Sequence, residues 1–456
     1  MNILIIVLLI VAEIVMTAFV ITKKTDVKSF ALIRLITDVS ELAICLGMLF
    51  TEEVSFGIRF GGLFALLLLR VVFAGVIWLI KRKNEKMKNN FTVILGSLMS
   101  VLLIIGSLFP SFMIKNYKGL PTSGSYDVKM TKAILVDGNR LESFENDGSK
   151  REVPVYFYYP EVKEEENIKF PVVFFSHGAF GYYQSNTSTY TELAANGYIV
   201  VSVEHPYHSL FTKDTNGNTI IVNSDFIRSV MTIQNTDTVS EEEIFEKSSK
   251  WMELRLADMN FAIDTIKNAA NNNELTGEWY FDNENELMDA LALIDTNSIG
   301  LMGHSLGGAT AVTLGRTRDD IDAVIDFDGT MLGEIEGVEN GVDVVNEESY
   351  SVPLLELDNE SHHVEREEVK KNNEIYSNNV ILDNAEEGFD TYIKGSEHMN
   401  YTDLPLIVPS LAKMLGTGDA DSKECVEKMN ELTLEFFNCY LKGEGDFGVE
   451  EYYEFP

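Results

Sequence analysis

Ser298 to Gly308 join an apolar run to Gly303-His304-Ser305-Leu306-Gly307-Gly308 and lead into a helical stretch of small residues. A G-x-S-x-G pattern between strand and helix is the context of a nucleophile elbow. There a sharp turn lifts the serine hydroxyl clear of a sheet, and flanking glycines permit the turn and the close approach of the helix. That context separates Ser305 from a chance pentapeptide and from a serine that only caps a helix. A serine hydroxyl needs a base, and seven histidines compete for the role. His177 and His304 are tied to glycine turns, His205 and His208 lie early in a long insertion, and His362 and His363 sit in a charged stretch read as a loop. His304 is expected to point away from its neighbour and to be structural. His398, in Lys394-Gly395-Ser396-Glu397-His398, follows the last apolar run, where the base belongs when serine, acid and histidine come in that chain order.

Two carboxylates compete as the acid. Asp328 ends the run after the nucleophile helix, in Ile325-Asp326-Phe327-Asp328-Gly329, and Asp358 ends the next. Asp326 alternates inward and Glu356 lies within its run, so both rank lower. The chemistry these residues imply is acyl transfer. Ser305 attacks a carbonyl, His398 takes and returns the proton, and a carboxylate holds the imidazole in the useful tautomer. The oxyanion needs two backbone N–H groups, from Leu306 and from Ala179, with His177 and Gly178 shaping the second loop.

These residues need a sheet to hold them. Short β-rich runs occur at Val153 to Tyr159, Val172 to Ser176, Tyr198 to Val203, Ser298 to Met302, Ala323 to Phe327, Pro353 to Leu357 and Phe389 to Ile393. Near-continuous apolarity is the mark of buried parallel strands, and Trp251 to Ala269 has the periodicity of a crossover helix. An α/β-hydrolase domain with a mostly parallel sheet is expected over 119–456, with insertions near 206–250 and 333–350. The first insertion carries the stripe Phe226, Ile227, Val230, Met231 and Ile233, which suits a lipid-facing lid or a helix packed on the core. The second, acidic and glycine-containing, reads as a solvated loop without EF-hand spacing.

Phe175-Ser176-His177-Gly178-Ala179-Phe180, Val203-Glu204-His205, Gly303 to Gly308, Asp328-Gly329 and Ile393 to Asn400 resemble, in order, the successive blocks of the plasma-type platelet-activating factor acetylhydrolases. The similarity runs from about Phe170 to Leu404. It implies Asp328 as the acid, since the family's acid follows the strand after the nucleophile. It also implies calcium-independent release of short or oxidised acyl groups from phospholipids.

Ahead of this region, Ile3 to Ile21, Phe30 to Phe50, Phe60 to Ile80 and Phe91 to Ile114 are each long enough to cross about 30 Å of hydrocarbon as a helix. A four-helix transmembrane region is expected over 1–118. No basic residue precedes the first window and no small-residue cleavage site closes it, so a span is favoured over a leader peptide. Lys23, Lys24 and Lys28 follow the first window, Glu52 and Glu53 the second, and Lys81, Arg82, Lys83, Lys86 and Lys88 the third. The positive-inside rule then keeps the first and third loops in the cytoplasm and delivers the catalytic domain to the extracytoplasmic side. Near mid-window lie Glu13, Glu41 and Arg70, with Asp38 and Arg34 close by. An Arg70 pair with Glu13 or Glu41 would fix helix packing or mark a path for a proton or ligand.

Charge divides the chain in the same place. Through Lys118 there are 13 basic and 7 acidic residues, and beyond it 23 against 64, so +6 gives way to −41. Such a surface repels phosphate backbones, which excludes nucleic acid as a partner. The expected partners are the bilayer and a lipid or small acyl ester. No Zn motif or phosphate loop occurs, so no metal or cofactor is expected. Cys45 lies in an apolar run, and Cys425 and Cys439, on one amphipathic helix, are about 21 Å apart, so free thiols are expected. Two functions compete: a membrane-anchored serine esterase, and a membrane sensor or transporter whose hydrolase-like domain only binds.

Overall fold

Apolar sequence in the first quarter folds as four long helices in this computed structural model, which describes residues 2–50, 54, 56–162, 168–233 and 239–455. The chain divides into two units, residues 1–118 with 406–411 and residues 119–405 with 412–456.

In the first unit, α1 (Asn2–Lys23), α2 (Val27–Met48), α3 (Gly61–Lys81) and α4 (Asn90–Ser107) follow one another. Asp26 and Asn89 start α2 and α4 by accepting the N–H groups of Ser29 and Phe91 at 2.6 and 2.8 Å, a standard N-cap arrangement. The fourth expected window, Phe91 to Ile114, stops at Ser107. The chain restarts as a short helix, Phe109–Met113, because Pro110 has no N–H with which to continue the first one. Three of the four helices, α1, α3 and α4, are long and apolar enough to cross a membrane. Among them α2 is missing, for Lys28, Arg34, Asp38 and Glu41 raise its polarity, and the expectation of four such helices narrows to three. Apolar side chains such as Leu69, Phe73, Leu98 and Leu102 stand outward, while the charges turn inward. Nη2 of Arg70 lies 2.5 Å from Glu13, 2.6 Å from Asp38 and 2.8 Å from Glu41, and Arg34 adds contacts of 2.7 Å to Glu13 and 3.1 Å to Asp38. Charges buried among apolar helices must be paired, and these are. Glu52 and Glu53 lie outside the described residues.

The second unit contains β1 (Val128–Leu141), β2 (Lys150–Pro160), β3 (Phe170–Ser176), β4 (Ile199–Val203), β5 (Phe211–Lys213), β6 (Thr219–Ile221), β7 (Glu278–Phe281), β8 (Ile294–His304), β9 (Ala323–Phe327), β10 (Ile335–Glu339), β11 (Val342–Val345), β12 (Leu354–Asn359), β13 (Gly388–Ile393) and β14 (Tyr452–Tyr453). Ten of them form one sheet in the order β14-β13-β12-β9-β8-β3-β4-β2-β1-β7. From β14 to β4 every neighbour is parallel; β2, β1 and β7 complete the far side antiparallel. Each expected apolar run coincides with a strand, although Tyr198 and Pro353 fall one residue before β4 and β12, and β3, β4, β9 and β12 are buried along their whole length. Helices cover the strands, as a sheet that is apolar on both faces requires. The crossover helix is longer than its apolar stripe suggests. It runs Glu241–Asn272, started by Ser240, whose hydroxyl accepts from Glu243 N–H.

Two stretches read as loops are ordered. The acidic segment 333–350 holds the hairpin β10–β11, turning at Asn340-Gly341 with φ of 57° and 76°. Asn-Gly is the pair that tolerates such a turn. His362 and His363 sit on a helix, Glu360–Lys371, which Asn359 caps by accepting His362 N–H at 2.9 Å. Cys45, Cys425 and Cys439 are free thiols.

Candidate active site

Parallel strands bring their carboxyl ends to one edge, and the chemistry-bearing residues follow β3, β8, β9, β12 and β13 there. At the end of β8, Ser305 has φ 56° and ψ −126°, followed at once by the helix Leu306–Thr317. A positive φ on a non-glycine residue is a strained state. Ser305 is held in it by its N–H, which donates to Phe327 O at 2.8 Å. The helix comes so close that a Cβ on Gly303 would lie 2.2 Å from Gly307, and one on Gly307 would lie 1.9 Å from Ser176 O. No side chain larger than hydrogen fits at either position.

His398 opens a short 3-10 turn after β13. Asn400 pins the turn by accepting the N–H groups of Glu397 at 2.9 Å and Gly418 at 2.8 Å. Its side chain is 40% exposed, so the ring is open to a substrate. Nδ1 of His398 lies 2.5 Å from Asp328 Oδ2, and Nε2 has no hydrogen bond among the described residues. Asp328 itself sits at φ 57° with its N–H on Leu357 O at 3.1 Å. Besides His398, its carboxylate accepts Asn359 N–H at 2.8 Å, Asn359 Nδ2 at 2.7 and 2.8 Å, and His362 Nδ1 at 3.3 Å. Burial opposes ionisation here, yet the hydrogen bonds from His362 and His398 hold this carboxyl well below the usual range.

Asp358 does not reach His398. It pairs with Arg366 and with His362 Nδ1 at 3.1 Å, while its backbone oxygen accepts the Tyr401 hydroxyl. Asp326 is fully buried and accepts Gly329 N–H at 2.9 Å, and Glu356 accepts from Asn378 beside Arg366; burial raises both carboxyls well above their ordinary values. His304 does not point away from the site. Its ring lies 4.6 Å from that of His398, centre to centre, and Nε2 is 3.1 Å from His398 O. Burial, with the neighbouring His398, pushes its imidazole down to about 3, so it packs as a neutral ring.

Among the described residues, the N–H groups of Leu306 and Ala179 have no acceptor. Gly178 lies against the elbow, since a Cβ there would be 3.3 Å from Ser305 Cβ. Over this corner packs the helix Ser224–Ile233. Phe226 and Val230 of the insertion's stripe meet Ala179, Phe180, Trp251, Leu306 and Ala309, while Met231 of the same stripe is 63% exposed. Asn359 and His362 are residues that the sequence reading missed. The asparagine three residues before His362 is an N-cap signal that would have placed that histidine on the first turn of a helix, beside the ends of β9 and β12.

The family model for platelet-activating factor acetylhydrolase, isoform II, matches residues 148–451. Curated relatives include platelet-activating factor acetylhydrolases of Bos taurus, 25% identical over 61% of this chain and 59% of that one, and of Canis lupus familiaris, 24% identical over 61% and 59%. The chain thus spans about 59% of the length of these relatives. A ferulic acid esterase from Streptomyces cinnamoneus superposes with a TM-score of 0.49 at 19% identity, covering 72% of this chain and 93% of that one. With its match extending over two thirds of the sequence and taking in every residue of the site, the chain belongs to the isoform II family of platelet-activating factor acetylhydrolases.

Proposed function

We propose that this protein is a membrane-anchored serine esterase acting on short or oxidised acyl groups of phospholipids. Ser305 is the nucleophile, His398 the general base and Asp328 the orienting acid. Ser305 Oγ bonds to the acyl carbon as its proton passes to His398 Nε2. The alkoxide leaving group takes that proton, and water then releases the acid by the same path in reverse. The N–H groups of Leu306 and Ala179 receive the oxyanion. The observation that carries the reading is the 2.5 Å contact of Asp328 with His398, beside a serine held at φ 56°. Family membership and the relatives' name support the substrate class.

The membrane part of the proposal has four helices spanning the bilayer, α2 carried across by its pairing with Glu13 and Arg70, and residues 119–456 on the side opposite the basic loops. Turnover of p-nitrophenyl acetate and of acetyl, oxidised and long-chain phospholipids by purified full-length protein tests the reading. Ser305→Ala should lose several orders of magnitude in kcat and all labelling by a fluorophosphonate. A well-folded wild type that neither turns over esters nor takes the label would favour the sensor or transporter reading, to which the buried cluster of Glu13, Asp38, Glu41, Arg34 and Arg70 lends support.

A further inference from the structure

Behind the site lies a second serine-histidine-aspartate set. Ser176 Oγ is 3.0 Å from His205 Nε2, and His205 Nδ1 is 3.1 Å from Asp258 Oδ2. All three residues are completely buried, so this serine meets no substrate. Burial, reinforced by the charge of Arg255, pushes His205 down to about 4. The imidazole is therefore neutral, receiving the Ser176 hydroxyl proton and donating to the aspartate. Asp258 is also held bidentate by Arg151, at 3.0 and 2.7 Å, and by Arg140 at 2.9 Å.

Into this network comes Arg255, one turn before Asp258 on the crossover helix and itself fully buried. Among the described residues it has no carboxylate within ion-pair distance. Nη1 donates to His177 O and, at 3.3 Å, to Ser176 Oγ; Nη2 donates to Gly178 O at 3.1 Å. A buried cation whose partners are two successive carbonyls at the edge of an active site is costly unless those carbonyls must be held. The peptide bond between Gly178 and Ala179 is trans, so its C=O and N–H point in opposite directions. With the oxygen drawn toward buried Arg255, the Ala179 N–H faces away from it, and Gly178, the residue before it, lies against Ser305.

We propose that Arg255 is a positioning residue for the oxyanion site: its planar fork fixes the two peptide planes that follow His177, and through them aims the Ala179 N–H at the developing oxyanion. The inference rests on the serine-esterase reading. Gly178 O has two further donors, Gly181 N–H at 3.1 Å and His177 Nδ1 at 2.7 Å, so the loop does not collapse without the arginine; it loses the constraint that couples both carbonyls. Lysine keeps a charge but has no fork, and cannot span two carbonyls and a hydroxyl in one plane.

The test uses the full-length protein once Ser305-dependent turnover of the wild type is established; absence of that turnover would count against the esterase reading itself. Arg255→Lys, and Arg255→Met as a second variant, are compared with wild type on an ester and on the thionoester of the same acyl group, whose sulfur is a weak hydrogen-bond acceptor. Only a folded variant, judged by an unchanged cooperative melt, is read. The expected result for Arg255→Lys is a kcat lower by at least about tenfold, up to the roughly 10²–10³-fold of a lost oxyanion donor, with KM little changed and the ester's advantage over the thionoester reduced. Arg255→Met should fall at least as far. An unchanged kcat, or an equal loss on both substrates, would overturn the assignment, because a residue that only supports packing has no means of distinguishing oxygen from sulfur. If the methionine variant does not fold, the lysine variant decides alone.

Discussion

Replacing Asp328 by asparagine tests the arrangement at its tightest point. The carboxylate is an acceptor only, and every neighbour of its oxygens donates: Asn359 N–H, Asn359 Nδ2 and His362 on Oδ1, His398 and Asn359 Nδ2 on Oδ2. An amide must turn its NH₂ toward one of these sets. The Oδ1 side has three donors and the Oδ2 side two, so the amide nitrogen goes to the side of His398. There it meets Nδ1 as a donor, the imidazole moves its proton to Nε2, and Nε2 cannot take the Ser305 proton in the proposed step. A wrong-tautomer histidine costs about 10⁴-fold in kcat, equivalent to about 5.4 kcal/mol of transition-state stabilisation. Folding should survive, because the volume is unchanged. The pH dependence of stability supplies a second readout. A carboxyl held below its ordinary value contributes stability above the unfolded-state pKa, near 4, and loses it as pH falls through the folded value. The Tm difference between wild type and Asp328→Asn should therefore narrow below about pH 4. Steady-state kinetics on p-nitrophenyl acetate and thermal melts measure both. The reasoning is refuted if the folded variant keeps kcat within tenfold of wild type, or if Asp358→Asn is the more damaging change.

Other outcomes follow from neighbouring residues. Burial disfavours charge on His362, but Asp358 and Asp328 together raise it far above its usual value, so the ring is a cation between two carboxylates; His362→Leu should lower stability by about 3–5 kcal/mol in chemical denaturation at pH 7, more than His363→Leu. Phe226→Ala removes the ring that meets Phe180 and Trp251 over the elbow, and should raise KM for long-chain esters while leaving p-nitrophenyl acetate nearly untouched; equal effects on both would argue against a lid. Protease added to intact cells or spheroplasts should digest the region after Lys115, and full protection until lysis would invert the proposed orientation.

How far the sequence could be read depended on the range of the physics involved. The strands β2, β3, β4, β8, β9, β12 and β13 were legible because burial forces unbroken apolar runs, whereas β1 and β7 at the sheet's half-exposed side carry no such run and were missed; Gly303, Ser305 and Gly307 were legible because the elbow tolerates few alternatives. Pairings between different elements defeated the rest. Arg366 meets Asp358 and Asp390, Arg255 meets the carbonyls after β3, and His362 joins Asp328 to Asp358; nothing in local periodicity specifies such pairings. Two other misses were local and avoidable. Asn340-Gly341 between Val338 and Val342 is a hairpin signal, and Asn359 ahead of His362 is a helix cap. In the first quarter, apolar length gave the helices, while the polarity that sets α2 apart was visible in Arg34, Asp38 and Glu41 from the start.

The two strained backbones explain each other. Ser305 and Asp328 are non-glycine residues with positive φ at the ends of adjacent parallel strands, where His304 pairs with Phe327. Strain of this kind costs about 1–3 kcal/mol per residue and persists only where the surroundings over-determine it. Here the constraint is relayed strand by strand: Ser305 N–H bonds Phe327 O, and Asp328 N–H bonds Leu357 O. Each bond ties a strained residue to the next strand, at the last residue of β9 and within the carboxyl half of β12, so the proposed nucleophile and its proposed acid are positioned by one ladder rather than by two independent loops. Asp326, between them on β9, closes the arrangement by accepting Gly329 N–H, and the tight space it fills against Gly308 and Gly329 keeps both turns from relaxing. A buried carboxyl that burial drives toward its neutral form is a poor choice for packing alone; as the wedge between two strained turns it does what an aliphatic side chain, with no acceptor for Gly329 N–H, cannot.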